Sequence, residues 1–177
     1  MIGKLSGSID SISGDAAIVD VNGVGYVVHA SNRTLGQLGG KGALVSLLIE
    51  TQVREDAINL YGFADKSERD WFRLLTTVQG VGAKVALAIL GVLAPDDLSL
   101  AIAAQDKVAI TRAPGVGPKL GARIVAELKD KAGSVANDLS VDAVRGAAVN
   151  GGKAGAAPSE DAVSALVNLG YRRAEAY

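Results

Sequence analysis

Two stretches of the chain are written to one pattern. Leu75 to Leu90 reads LTTVQGVGAKVALAIL and Ile110 to Val125 reads ITRAPGVGPKLGARIV, so an apolar run, Gly-Val-Gly-x-Lys and a second apolar run occur twice, 35 positions apart from Gly80 to Gly115. In each copy one apolar helix ends, the chain turns through the glycines, and another helix starts. Glycine permits the left-handed backbone of a tight turn and lets a second backbone come close, while the valine between can plug the space between helices. The first turn of the following helix carries N–H groups without intrahelical acceptors at the positive end of the helix dipole, which makes an anion site. Lys84 and Lys119 follow each turn and add charge where a phosphate would sit.

Other readings of the glycine pattern fail on context. A dinucleotide-binding fingerprint needs a preceding strand, and helices precede both copies; a Walker A loop needs Gly-Lys followed by Ser or Thr, which no Gly-Lys here has. The plain alternative is that Gly-Val-Gly only closes two helical hairpins, since glycine at helix ends is routine. Duplication with the lysine in register argues against it.

The charge distribution points the same way. The net charge of -1 gives no sign of a polyanionic partner, so such a partner must meet a local patch. Residues 1–65 carry four Lys/Arg against seven Asp/Glu, residues 66–133 ten against seven, and residues 134–177 four against five. Positive charge gathers where the motif repeats. Zero cysteines exclude disulfides, thiolate zinc sites and cysteine nucleophiles, and a single histidine, His29, argues against a His-based triad or His-rich metal site. We expect no catalytic site, metal or cofactor. No run reaches the roughly 18 apolar residues of a membrane span, and the N-terminus lacks a signal peptide's apolar core. The expectation is a soluble, cytoplasmic protein with no membrane partner.

The fold class expected is multidomain, β then all-α. Residues 1–63 show five alternating or apolar runs, IGKLSGSIDSI, AAIVDV, GYVVHA, ALVSLLIETQV and INLYGF, separated by turn residues. Asn22-Gly23 suits a two-residue hairpin and SNRTLGQL a short helix after the third strand. That order suggests a five-stranded OB-type Greek-key barrel. Residues 64–133 change to helical period: Asp65 or Ser67 caps a helix burying Trp71, Phe72, Leu75 and Val78. Further short helices follow, with Pro95 and Pro118 in first turns and Gly133 as a stop. Residues 134–158, rich in Ala, Gly and Ser, read as a flexible linker. Residues 159–177 open on Ser159 as a cap, with Val163, Leu166 and Val167 at helical spacing. One helix cannot bury its own apolar face, so this segment is expected either to dock on something else or to be a small helical module cut short at Tyr177.

The double unit is a helix-hairpin-helix pattern, which binds DNA backbone without reading sequence. With MIGKLSG, VNGVGY, VREDAINLYGF, ERDWFRLL, GVGAKVALAIL and PGVGPKLGARIVAELKDK, the chain resembles the RuvA family of bacterial Holliday-junction-binding proteins over nearly its whole length. The hairpin motif is shared by many families; VREDAINLYGF joined to two copies is much more specific.

The resemblance implies a non-enzymatic subunit that binds four-way junction DNA as a homotetramer or octamer in recombination and repair. It holds the junction open and square while a hexameric ATPase, RuvB, drives branch migration; a junction-resolving nuclease is a further partner. Backbone N–H groups of Gly80, Gly82, Gly115 and Gly117, with Lys84, Lys119 and Arg123, would hold phosphates, which positions DNA without reading bases. Glu55 and Asp56, otherwise an ordinary solvated turn, match the family's acidic pin, whose repulsion of phosphates at the tetramer centre keeps strands apart. Arg54 beside them is placed either to hold a phosphate at the crossover or to pair with a nearby acid.

Two departures stand out. Pro118 replaces a frequent second lysine, removing a charge and an N–H. Residues 159–177 match only the start of the family's C-terminal domain, which docks on the ATPase. Three rivals fare worse. A helix-hairpin-helix glycosylase or nuclease needs a catalytic Asp or Lys in a base-flipping pocket after the motif, where ARIVAELKDKAG leads straight into linker. A single-strand binder would stack bases on aromatics, and the barrel offers only Tyr26, Tyr61 and Phe63, which read as core. A pure scaffold leaves the lysine-bearing hairpins unexplained.

Overall fold

A computed structural model of the protein describes residues 1–129. The linker expected over 134–158, the segment 159–177 and the stop at Gly133 lie outside the described residues.

Five strands, β1 (Lys4–Ser13), β2 (Ala16–Val21), β3 (Val24–Ala30), β4 (Leu44–Val53) and β5 (Ile58–Phe63), close a barrel in the order β1-β2-β3-β5-β4. All pairings are antiparallel except β3 with β5. Helix α1 (Asn32–Gln37) makes the connection between β3 and β4. At the β2–β3 turn Val21 faces Val24 and both Asn22 (φ 54°) and Gly23 (φ 86°) take positive φ, the backbone a type I′ hairpin demands. Alternation fills the barrel: Leu5, Ile9, Ala17, Val19, Val28, Ala30, Leu47, Ile49 and Leu60 form one buried cluster closed by Leu35 and Leu38.

From Leu60 to Phe63, β5 is buried on both faces. Gly62 looks inward, where a Cβ would come within 2.5 Å of Val28 Cγ1. Tyr61 and Phe63 point the other way and stack on Phe72 with ring centroids 5.1 and 5.0 Å apart. They are core residues, as expected, but of the helical part rather than of the barrel.

The helical part comprises α2 (Lys66–Thr76), α3 (Ala83–Val92), α4 (Pro95–Ala103), α5 (Lys107–Thr111) and a helix over residues 118–129, here α6. Asp65, not Ser67, caps α2, accepting from the Glu68 N–H at 2.8 Å. Trp71, Phe72 and Leu75 are buried at helical spacing, each contributing about 1.5–3 kcal/mol through burial. Val78 is buried too, though in the turn beyond the helix end. Pro95 occupies the first turn of α4, where its missing N–H costs nothing. Between α3 and α4 the axis bends by 96°.

Two polar contacts tie the helices to the barrel. Arg73 on α2 donates from Nε to Glu50 Oε2 on β4 at 2.7 Å. The carboxylate of Glu68, fully buried, accepts from Ser31 Oγ at 2.7 Å, from Thr34 Oγ1 at 2.7 and 2.9 Å, and from the Ala64 N–H at 3.2 Å. Helix α1 has no acidic residue in its own first turn. Glu68 places its carboxyl group there from α2, against the N-cap Ser31 and Thr34 of α1. Among the described residues no single helix is long and apolar enough to cross a membrane.

Candidate nucleic-acid interface

The two Gly-Val-Gly copies fold to one geometry. In the first, between α2 and α3, the Val81 N–H donates to the Val78 carbonyl at 3.0 Å and Gly80 has φ +94°. In the second, between α5 and α6, the Val116 N–H donates to the Ala113 carbonyl at 3.1 Å and Gly115 has φ +86°. A hydrogen bond from the fourth residue to the first, with positive φ only at the third, defines a type II turn, and this is why glycine stands at 80 and 115. Val81 and Val116 are each 6% exposed and join the helical core, so the valine does plug the hairpin.

Each hairpin is followed by a helix start that no side chain caps among the described residues. Gly82 is the N-cap of α3 and makes no side-chain cap bond; the first amides with helical acceptors are Ala86, to Gly82, and Gly121, to Gly117, both at 2.9 Å. Among the described residues the N–H groups of Gly80, Gly82, Gly115 and Gly117 have no protein acceptor. Those four glycines, Lys84 and Lys119 are all exposed. Pro118 sits in the first turn of α6 and leaves that helix one amide poorer than α3.

The hairpins pack on each other reciprocally. Gly80 lies against Leu120, where a Cβ would meet Cδ1 at 3.4 Å, and Gly115 lies against Val85, where it would meet Cγ2 at 3.6 Å. Val85 and Leu120 each follow the lysine of their own copy, so the two units are related by an approximate twofold. This brings Gly80, Gly82, Lys84, Gly115, Gly117 and Lys119 into one assembly. Arg123 belongs to it in an unforeseen way: its Nη1 donates to the Gln79 carbonyl at 3.1 Å, across 44 residues.

Ion pairing separates two kinds of cation. Lys66, Arg69 and Arg73 of α2 engage Asp70 and Glu50. Lys84, Arg112, Lys119 and Arg123 make no ion pair among the described residues. Arg112 did not stand out in the sequence. It caps the C-terminal end of α5 and is exposed beside the second hairpin; the signal was a cation immediately before Ala-Pro-Gly. Beside the hairpins a cleft of about 220 Å³ opens between α3 and the barrel, lined by Lys84, Ala88, Pro114, Asp15, Ser31 and Asn32 among others.

Arg54, Glu55 and Asp56 stand apart from this assembly. They form the exposed β4–β5 loop, closed by the Arg54 N–H to the Ala57 carbonyl at 2.8 Å. The loop stands on a rung of two exposed apolar residues, Val53 and Ile58, 71% and 68% accessible. Arg54 makes no salt bridge to a nearby acid among the described residues. Its charge is felt by Tyr61, whose hydroxyl pKa burial raises and Arg54 partly lowers.

Comparison with known proteins places this geometry. A protein of Paramagnetospirillum magneticum, "Holliday junction branch migration complex subunit RuvA", is 59% identical over 180 residues, spanning 100% of this chain and 84% of that relative. The chain belongs to the RuvA family. A relative of the same description from Rhodospirillum centenum is 58% identical over 183 residues, covering 100% of this chain and 86% of the relative, and one from Rhizobium meliloti is 56% identical over 176 residues, covering 99% and 85%. The family profile described as RuvA N terminal domain matches residues 1–62, the barrel, and a SAM-like helix-hairpin-helix tandem profile matches residues 72–130. In RuvA terms, the free amides and unpaired lysines lie in the tandem match and the acidic loop in the N-terminal domain match.

Proposed function

We propose that this chain binds four-way DNA junctions by shape, as the DNA-holding subunit of a branch-migration complex. The observation that carries the reading is the twofold pair of hairpins, each with an uncapped helix start, free glycine amides and an unpaired lysine. Two such grips on one rigid body suit two phosphates of one duplex arm. Backbone contacts of this kind carry no sequence information, so selectivity comes from the junction's four-way shape, met by four subunits of a homotetramer or by two tetramers face to face in an octamer.

In this assembly the acidic loop of each subunit, Glu55 and Asp56, lies at the centre. Carboxylates there repel phosphates, keep the separated strands apart, and disfavour an ordinary duplex laid across the middle. Arg54 holds a phosphate at the crossover. The subunit itself performs no bond chemistry; a hexameric RuvB-type ATPase supplies the work and docks through the C-terminal segment, with a junction-resolving nuclease acting on the product. The relatives' shared description as subunits of a Holliday junction branch migration complex supports this division of labour. The place of action is the cytoplasm.

The test is competition between a four-way junction and a linear duplex of the same arm sequence, at fixed salt and with magnesium controlled. A strong preference for the junction supports the reading. Equal affinity for both would return the chain to the general binders of DNA backbone.

A further inference from the structure

The two hairpins share a turn type but not the means of holding it. Type I and type II turns differ by rotation of the central peptide, which here joins Gln79 to Gly80 in the first hairpin and Pro114 to Gly115 in the second. Proline at the second position followed by glycine favours type II by itself, because the ring presets φ and glycine accepts positive φ. Gln79-Gly80 lacks that restraint, and glycine makes rotation of the peptide cheap.

Arg123 stands where the restraint is missing. Its Nη1 donates to the Gln79 carbonyl at 3.1 Å, the oxygen of that central peptide. It also lies over Gly80, 4.0 Å from where a Cβ would be. In a trans peptide the carbonyl and the N–H point in opposite directions, and the chain has no cis peptide among its described residues. Fixing the Gln79 oxygen against α6 therefore aims the Gly80 N–H away from α6. The twofold-related positions are Ala88 and Pro114. There the arginine is absent and the proline present, and both residues line the open cleft beside Lys84.

We propose that Arg123 is a positioning residue for the first grip: through the Gln79 carbonyl it holds the Gln79–Gly80 peptide in the type II orientation, so that the Gly80 N–H is presented to a DNA phosphate. This rests on the reading that the hairpin amides hold phosphates, and extends it by making the second hairpin's helix set the geometry of the first. Proline at 114 does for the second hairpin what Arg123 does for the first.

The experiment is a rescue. Arg123→Met keeps side-chain length and removes the donor and the charge; Gln79→Pro installs the second hairpin's own restraint, and the Gln79 N–H has no protein acceptor to lose among the described residues. Arg123→Met is expected to weaken junction binding by roughly tenfold, and the Gln79→Pro, Arg123→Met double variant to return within about threefold of the original. A double variant as weak as Arg123→Met overturns the proposal, because Arg123 then acts through its own charge. The 15N–1H signal of Gly80 is followed in the DNA-free chain. It should move in Arg123→Met, and in the double variant lie where it lies in Gln79→Pro alone, while Gly115 stays in place; a Gly80 signal unmoved by Arg123→Met overturns the proposal even if the unaltered chain fails to bind junctions, the result that would sink the junction reading instead.

Discussion

Thr34 Oγ1 donates to Glu68 Oε2 at 2.7 Å, joining the one helix of the barrel to the first helix of the hairpin domain through a fully buried carboxylate. With Ser31 Oγ and the Ala64 N–H on the same carboxylate, barrel and hairpins are locked together at a point that carries no free side. Glu68→Ala leaves the two buried hydroxyls of Ser31 and Thr34 without their acceptor, each costing about 1–3 kcal/mol. We expect a loss of about 3 kcal/mol or more in denaturant unfolding. A change under about 0.5 kcal/mol, the size typical of surface substitutions, would show that the network adds nothing to stability.

The second hairpin should be improvable. Pro118 is exposed in the first turn of α6, and neither a charge nor an N–H is offered there. Pro118→Lys adds both beside Lys119 and is expected to tighten junction binding and to steepen its salt dependence by about 0.9 in log–log slope for each phosphate newly engaged. Titrations at several salt concentrations read this directly. Unchanged affinity and slope would place the phosphate elsewhere than at the start of α6.

Neutralising the acidic loop should loosen discrimination, not folding. The β4–β5 loop is closed by the backbone bond from Arg54 to Ala57, and the Glu55 and Asp56 side chains are exposed. The Glu55→Gln, Asp56→Asn variant should therefore unfold as the parent does. With repulsion removed, linear duplex should bind more tightly and the junction-to-duplex preference fall by roughly tenfold at low salt, equivalent to about 1.4 kcal/mol. A preference that does not change would remove the loop from any role in selectivity.

The local structure was legible because it follows from local rules. Period two over residues 1–63 and period 3.6 after Asp65 locate the barrel and the helices, Asn22-Gly23 gives its hairpin, and the duplicated glycines give the two turns. What escaped depends on partners far away in sequence. Glu68 looks like an ordinary first-turn acid until Ser31 and Thr34, 37 and 34 residues earlier, are folded against it. Tyr61 and Phe63 read as barrel core because nothing in INLYGF tells which face α2 will cover. Arg123 was legible as a cation near the second hairpin, but not as a donor to the first. Spacing cannot show a bond whose acceptor is a backbone oxygen 44 residues away.

If the two hairpins are the grip, the salt dependence of junction binding must reveal it. The measurement is the log–log slope of junction affinity against salt for the unaltered chain and for the Lys84→Ala, Lys119→Ala double variant, whose exposed side chains make no ion pair among the described residues. The double variant should bind more weakly, with a slope shallower by about 0.9 for each phosphate it no longer neutralises. Superimposed lines, with the same slope and affinity in both proteins, would contradict a hairpin grip and move the DNA to another face of the molecule.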